Sequence, residues 1–400
     1  MKKLCLSLAA FSALILSSMA WETGPSGYVT VSLAGNSDSY VYIPVKRSPE
    51  FAGVAASLSA NGTYDAGEPF TDGNNSGSWD NGETFTDTNN IIALAGTPAL
   101  SVNQFVYAPG TQPKRYYVFL KSGTRAGMYY SVVSNAAAAL TVDTAGDNLS
   151  TAITTTTTLE VIPFDTFGTI FPGGTGVHPS SSHSASPAVR QSSVLIPDQS
   201  TAGKNLAFPV SYYYYSGVDA PGPGWRRAGF SDTVANDDIL LPDTFFAVRH
   251  NIATSTTITF TGTVQMAQLT TPIGTIVAST DQDNAVALPF ATGMTLAQLK
   301  LYESGAFVGS PTHSTGARQD VVLVWDNSVS GKNKAADATY YYYSGSDSPG
   351  PGWRKSGDSG TLVDNEIVAG PNKGIVIRKK ATAQAASLLW TVRPPYVPAN

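Results

Sequence analysis

Four hundred residues carry a formal net charge of −5, only 13% of them are charged, and the single cysteine is Cys5. With no basic run the chain is a poor nucleic-acid binder, and with one cysteine it cannot build a disulfide framework or a cysteine metal site. The length predicts two or three domains whose core size is not limiting, under a surface largely of Ser, Thr, Asn and Gly.

Met1-Lys2-Lys3, the apolar stretch Leu4 to Leu16 and the small residues Ser18-Met19-Ala20 have the layout of a secretory signal peptide. The apolar stretch is shorter than the ~20 residues of a spanning helix, so cleavage after Ala20 is expected rather than an anchor. Removing Lys2 and Lys3 takes the net charge to −7. The expected location is extracellular or at the cell surface. No later segment is apolar enough for a transmembrane helix. A membrane barrel fits less well, because the chain closes on Pro394-Pro395-Tyr396-Val397-Pro398 rather than an aromatic-ended strand.

Short β-branched and aromatic runs follow, such as Tyr28-Val29-Thr30-Val31, Tyr40 to Ile43, Tyr116 to Phe119 and Ile258 to Phe260. They are punctuated by Gly, Pro, Asn and Asp, which marks strands and turns. Helical periodicity is confined to Thr295 to Tyr302. The expected fold is all-β, with tandem sandwich or barrel-like domains and a calcium-loop insertion. After a signal peptide at 1–20, an N-terminal β domain spans 21–139 with the insertion at 57–90. Two β repeats follow at 140–269 and 270–396, then a tail at 397–400. Thr154 to Thr158 reads equally as spacer or strand.

The insertion is a short repeat of period 15, Asn61 to Glu68 being echoed by Ser76 to Glu83. Read from Asp72, it has EF-hand loop spacing: Asp72, Asn74 and Ser76 at positions 1, 3 and 5, and Gly77 at the bend. Ser78 then offers its carbonyl, Asp80 follows, and Glu83 is placed for bidentate ligation. This predicts a structural Ca²⁺ site, with a weaker second site at Asn61, Asp65 and Glu68. Pro69 and the β-forming flanks exclude a helix-loop-helix sensor.

The strongest sequence feature is a long repeat: residues 190–229 align with 318–357 without a gap, and 24 of 40 positions are identical. Each copy holds Gly-Lys-Asn, at Gly203 and at Gly331, then four tyrosines, Pro-Gly-Pro-Gly and Trp-Arg. Alternation puts Tyr212 and Tyr214 on one strand face and Tyr213 and Tyr215 on the other. Trp225-Arg226 and Trp353-Arg354 can act as a cation–π lock anchoring the loop, or, with Tyr215 and Tyr343, as a ligand platform or interface.

On Gly27-Tyr28-Val29-Thr30-Val31, Tyr212 to Ser216 and Gly224-Trp225-Arg226, the chain resembles a family of secreted bacterial β-rich proteins with no assigned activity. The resemblance implies a secreted β protein and nothing about chemistry.

Catalytic constellations are incomplete. Gly357-Asp358-Ser359-Gly360 copies a serine-protease nucleophile motif, but His178, His183, His250 and His313 lack the matching setting, and the first repeat has Gly229-Phe230-Ser231-Asp232 instead. His178 and His183 are too weakly spaced to define a metal site. Asp238 and Glu366 correspond between repeats and read as structural acids. The expectation is a non-enzymatic, calcium-stabilised structural or surface protein associating with itself, with glycan binding or adhesion as the alternative.

Overall fold

The computed structural model describes residues 24–60, 64, 70–85 and 89–398. The signal segment 1–20 and the weaker metal set Asn61, Asp65 and Glu68 lie outside the described residues. The architecture is all-β. Strand pairs are antiparallel throughout, in two related sandwiches and one closed barrel.

The second sandwich is the simpler. Strands Gly352–Lys355, Ala338–Tyr343, Val321–Asp326, Lys373–Lys379 and Gln282–Val286 lie side by side in a five-stranded sheet. The ribbon Leu269–Thr275 with Ala386–Val392 covers one face. Strand periodicity decides what meets what. Val322 and Val324 turn inward to Leu269, Ile273 and Trp390, while Leu323 between them joins a different cluster.

The first sandwich repeats this plan with a long interruption. Its sheet orders Gly224–Arg227, Val210–Tyr215, Ser192–Ile196, Phe246–His250 and Asp38–Val41. Its ribbon pairs Ser26–Leu33 with Thr256–Thr263. The first two strands of the chain therefore belong to the first repeat, not to a separate N-terminal domain ending at residue 139. The repeat copies strand for strand, but the counterpart of 269–290 is found at 26–45, far upstream of the expected boundary. No contiguous alignment joins the two pieces.

Between them sits the third unit. Phe51–Ala60, Asn89–Leu94, Ala139–Asp143, Tyr129–Ala136, Tyr116–Leu120 and Thr158–Pro163 close into a six-stranded barrel. The barrel reaches 163, so the 139/140 boundary falls inside it. Ile92, Val118, Leu140 and Val161 are fully buried and fill it. Thr154 to Thr157 forms a turn before the last barrel strand, with the Thr157 N–H donating to the Thr154 carbonyl at 2.9 Å. The helix expected at Thr295 to Tyr302 is a series of turns, because Lys300 adopts a left-handed φ of 52°. In the first repeat the matching position holds a single helical turn, Phe167–Ile170, under a Thr166–Thr169 capping box.

The outer faces of the two five-stranded sheets pack together through Tyr40, Leu195, Ala247, Ala285, Leu323 and Val376. At the rim Arg249 grips Asp38 at 2.6 and 2.7 Å, and Asn333 of the second repeat bonds both, its side chain accepting from Arg249 at 2.5 Å. The mirror set joins Arg378 to Asp283 at 2.6 and 2.9 Å, and to Asn205 of the first repeat at 2.7 Å. Each Gly-Lys-Asn turn thus reaches across to the other copy. The Asp38 N–H donates to the Gly331 carbonyl at 3.0 Å, and that of Asp283 to Gly203 at 2.9 Å.

Asp38 is 2% exposed, so removing it takes the counter-charge from Arg249, which keeps only its bond to Asn333. Asp38→Ala is expected to lower unfolding free energy by about 3 kcal/mol, as for a broken buried pair. Asp283→Ala should cost less, because its side chain is 16% exposed. Urea midpoints test this; equal midpoints in wild type and Asp38→Ala would rule the clasp out as a stabilising element.

Candidate functional site

The acidic loop leaves the barrel between Phe51–Ala60 and Asn89–Leu94. Its base is a small aromatic cluster: Tyr64 stacks on Trp79 at 4.7 Å, and Phe70 and Phe85 meet Tyr64 edge-on at 5.8 and 5.7 Å. Phe70 and Phe85 also bridge as β partners, and the Thr71 N–H donates to the Thr84 carbonyl at 2.8 Å. The loop is thereby pinned at its neck.

Above the neck the Asp72 carboxylate accepts from the backbone N–H of Ser76 at 3.0 Å and of Gly77 at 2.8 Å. Gly77 has φ +77°, a left-handed bend that suits glycine. The Gly77 N–H, helped by that of Ser76, holds the Asp72 carboxyl below its ordinary range. Glu83 reaches back to the Gly73 N–H at 2.8 Å and the Asp80 N–H at 2.9 Å. The Ser76 hydroxyl donates to the Ser78 carbonyl and the Asn74 amide to Asp80, both at 2.7 Å. The six expected ligand residues are thus knit into one loop. Their carboxylates are not gathered into a metal-type cluster: among the described residues no group of three or more His, Cys, Asp or Glu side chains forms one. Asp72 and Glu83 cap backbone N–H groups, and Asp80 accepts from the Asn74 side chain.

The repeated loops correct the platform expectation. Trp225 and Trp353 are each 1% exposed, Arg226 and Arg354 are fully buried, and Tyr215 and Tyr343 are 1% exposed. None presents a face to a ligand. Trp225 packs in the first core beside Phe167 and Phe171, and Trp353 beside Phe307 in the second. Nor do Trp and Arg stack on each other, because adjacent strand residues point to opposite faces. Arg226 lies 5.6 Å from the Tyr215 ring, and Arg354 lies 5.7 Å from Tyr343. The Arg226 guanidinium donates to the carbonyls of Ser231 at 2.9 Å, Trp225 at 3.0 Å and Gly222. Arg354 does the same with Ser359, Trp353 and Gly350. These arginines tie the Pro-Gly-Pro-Gly loop shut.

The protease-like Ser359 therefore supplies a structural carbonyl. Asp238 and Glu366 accept from the hydroxyls of Tyr212 and Tyr340, which accounts for their recurrence. The histidines also do structural work. His183 stacks on Tyr215 at 4.1 Å and bonds the Tyr213 hydroxyl at 2.9 Å; His313 repeats this with Tyr343 at 4.0 Å and Tyr341 at 2.9 Å. These two histidines are 130 residues apart, whereas the aligned block is offset by 128, so a gapless alignment misses the match. His250 is fully buried between the hydroxyls of Ser192 at 2.7 Å and Thr256 at 2.8 Å. The Thr256 hydroxyl donates to the Gly176 carbonyl at 2.6 Å, so it accepts from His250 Nε2–H, and the Nδ1 of the neutral ring accepts from the Ser192 hydroxyl, which itself accepts from the His178 N–H at 2.9 Å. The neutral ring satisfies every partner.

A concave site with no motif in the sequence lies where the three units meet. It is a cleft of about 680 Å³ walled by Tyr129, Tyr130 and Asp147 of the barrel, Leu241 and Asp243 of the first repeat, and Thr270, Pro272 and Leu389 of the second. Gly127 allows the close approach here: at φ +92° it lies against Gln268 to Thr270, where an added Cβ would come within 2.7 Å of backbone. No protein-family model matches the chain, and neither a curated protein nor a solved structure is significantly similar to it. Function must be argued from these sites.

Two outcomes follow. Arg226→Met and Arg354→Met should each destabilise by about 3 kcal/mol, since each removes three charge-assisted bonds that close the loop, while Arg→Lys restores at most part. Thermal unfolding checks this, and variants as stable as wild type would contradict the loop-tying role.

The second concerns pH. Burial, with the neighbouring His178, pushes His250 down to about 4. The unfolded chain then holds more protons from about pH 6.5 to 4, so this contribution, up to about 3 kcal/mol, is complete above 6.5 and lost as pH falls. Burial pushes Asp165 up to about 7 despite Arg47, so its contribution runs the other way and is lost as pH rises through 7. His250→Gln should flatten the acid-side decline in urea stability, and Asp165→Asn the decline toward neutral pH. Unchanged pH profiles would refute both assignments.

Proposed function

We propose that the chain is an exported, non-enzymatic structural or cell-surface protein that calcium stabilises at the 72–83 loop and that associates with copies of itself. What carries the reading is the use made of the repeated polar residues. Arg226 and Arg354 tie loops, Asp238 and Glu366 hold tyrosines, and the Asp–Arg–Asn clasps lock the sandwiches. These repeated polar residues close loops, anchor tyrosines and dock one sandwich on the other. A signal-type leader read from the sequence supports export.

The acidic loop supplies the calcium part of the proposal. Asp72, Asn74, Ser76, the Ser78 carbonyl, Asp80 and Glu83 are oxygen donors on one pinned turn, and Ca²⁺ takes 6–8 oxygens. Bound there, the ion would offset two of the three carboxylate charges and stiffen an exposed excursion. Surface-glycan stacking on Trp225 or Trp353 forms no part of the proposal, because both rings are buried.

Terbium standing in for calcium tests the loop, because Trp79 lies within it and can sensitise the ion's emission. Emission should appear in the wild type and be displaced by calcium at ~10⁻⁴–10⁻³ M, the range of extracellular modules. Glu83→Gln and Asp72→Asn should weaken displacement at least tenfold, and Trp79→Phe should abolish emission while calorimetric binding persists. Neither emission nor calcium heat in the wild type would sink the calcium reading. Light scattering with calcium and with chelator tests association; a monomer in both at millimolar protein would remove that part.

A further inference from the structure

The cleft at the three-unit junction has its own chemistry, separate from the acidic loop. Strand Tyr129–Ala136 begins at its centre, and neighbouring strand residues face opposite ways. Tyr130 turns into the barrel and donates to Asp147 at 2.7 Å, where Arg125 grips the same carboxylate at 2.8 and 2.9 Å. Tyr129 turns outward and donates to Asp243 of the first repeat at 2.8 Å. Two Tyr–Asp pairs from different units therefore flank one strand start. Leu241, Pro272 and Leu389 add apolar surface from the two sandwiches.

The charge state of these walls narrows what fits. Burial works against a charge on Asp147, but the Arg125 guanidinium and the Tyr130 hydroxyl outweigh it and hold the carboxyl below its ordinary range. It stays ionised and is neutralised where it stands. Asp243 is pushed the other way by burial, toward the neutral acid. Asp143 adds one exposed carboxylate at the rim, where it accepts from the Ala145 N–H at 2.9 Å, while the inner walls offer fixed hydroxyl, carboxyl and guanidinium hydrogen-bonding groups whose charges are paired or suppressed. An anion would meet three carboxyl groups, and a polycation would find, beside Asp243 pushed toward its neutral acid, only Asp143 without an ion-pair partner among the described residues. The volume lies within the ~300–1,000 Å³ of small-molecule sites, which favour junctions between units and mix apolar walls with a few oriented polar groups.

We infer that this cleft binds a neutral carbohydrate, with the Tyr129–Asp243 and Tyr130–Asp147–Arg125 groups bonding its hydroxyls and Leu241, Pro272 and Leu389 packing on its apolar ring faces. The inference goes beyond the structural role and does not depend on calcium. It also moves any glycan contact away from the buried tryptophans.

Saturation-transfer NMR on the intact mature chain tests it, with cellobiose, maltose, xylobiose and chitobiose as probes in the presence of chelator. Transfer to at least one of them is expected, lost or weakened at least tenfold in Asp243→Asn and Arg125→Met. Because those changes also touch barrel packing, Ser387→Trp serves as the blocking variant. Ser387 is exposed on strand Ala386–Val392 at the cleft wall, so the fold should survive while the cleft fills. Transfer abolished by Ser387→Trp at unchanged melting temperature supports the assignment. No transfer from any of the four sugars, or transfer indifferent to Ser387→Trp, overturns it.

Discussion

The fold depends on a debt incurred by its first two strands. Ser26–Leu33 and Asp38–Val41 find their partners at Thr256–Thr263 and Phe246–His250, more than 200 residues later. Unpaired backbone groups in a buried sheet are costly, so the first sandwich cannot close until the chain has returned. Everything between must leave the sandwich and come back to nearly the same place. The barrel meets that condition because its first and last strands pair directly, Phe51 opposite Val161. Entry and exit are therefore side by side, which is how an inserted unit is tolerated. The second sandwich crosses the same gap in the few residues between Leu288 and Met294.

Once both sandwiches exist, their contact is close to self-complementary. Gln199 and Asn327, 128 residues apart, each bond a backbone strand of the other copy, at Ala285 and at Tyr40. Pairing of equivalent elements in both directions is the geometry of a two-fold dimer interface. Here it is built within one chain. The aromatic residues are not symmetric, since Tyr40 and Tyr42 of the first copy stand where the second has Ala285 and Ala287. The Tyr40 ring lies against Gly374 and Trp325 of the second copy.

The β class, the duplication and the tyrosine alternation were legible because each follows from short-range periodicity. Tyr212 and Tyr214 do pack inward beside Trp225 while Tyr213 and Tyr215 meet His183. The unit boundaries were not legible, because the strand partners of residues 26–41 lie beyond any local pattern. The burial of the Trp-Arg loops was hidden for a related reason: a buried guanidinium held by carbonyls has the same sequence as an exposed one. The cleft has no sequence signal, since its walls come from three units. The one clue to the repeated His–Tyr contact was a two-residue slip in the alignment around His183 and His313.

The reciprocal clasp also bears on how the molecule comes apart. Asn205 is covalently part of the first sandwich yet bonds Asp283 and Arg378 of the second, and Asn333 does the converse. Opening either sandwich strips hydrogen bonds from the other, so local melting in one copy is felt in both. The two copies should therefore exchange their core amides as one cooperative block, although the sequence divides them into two homologous halves.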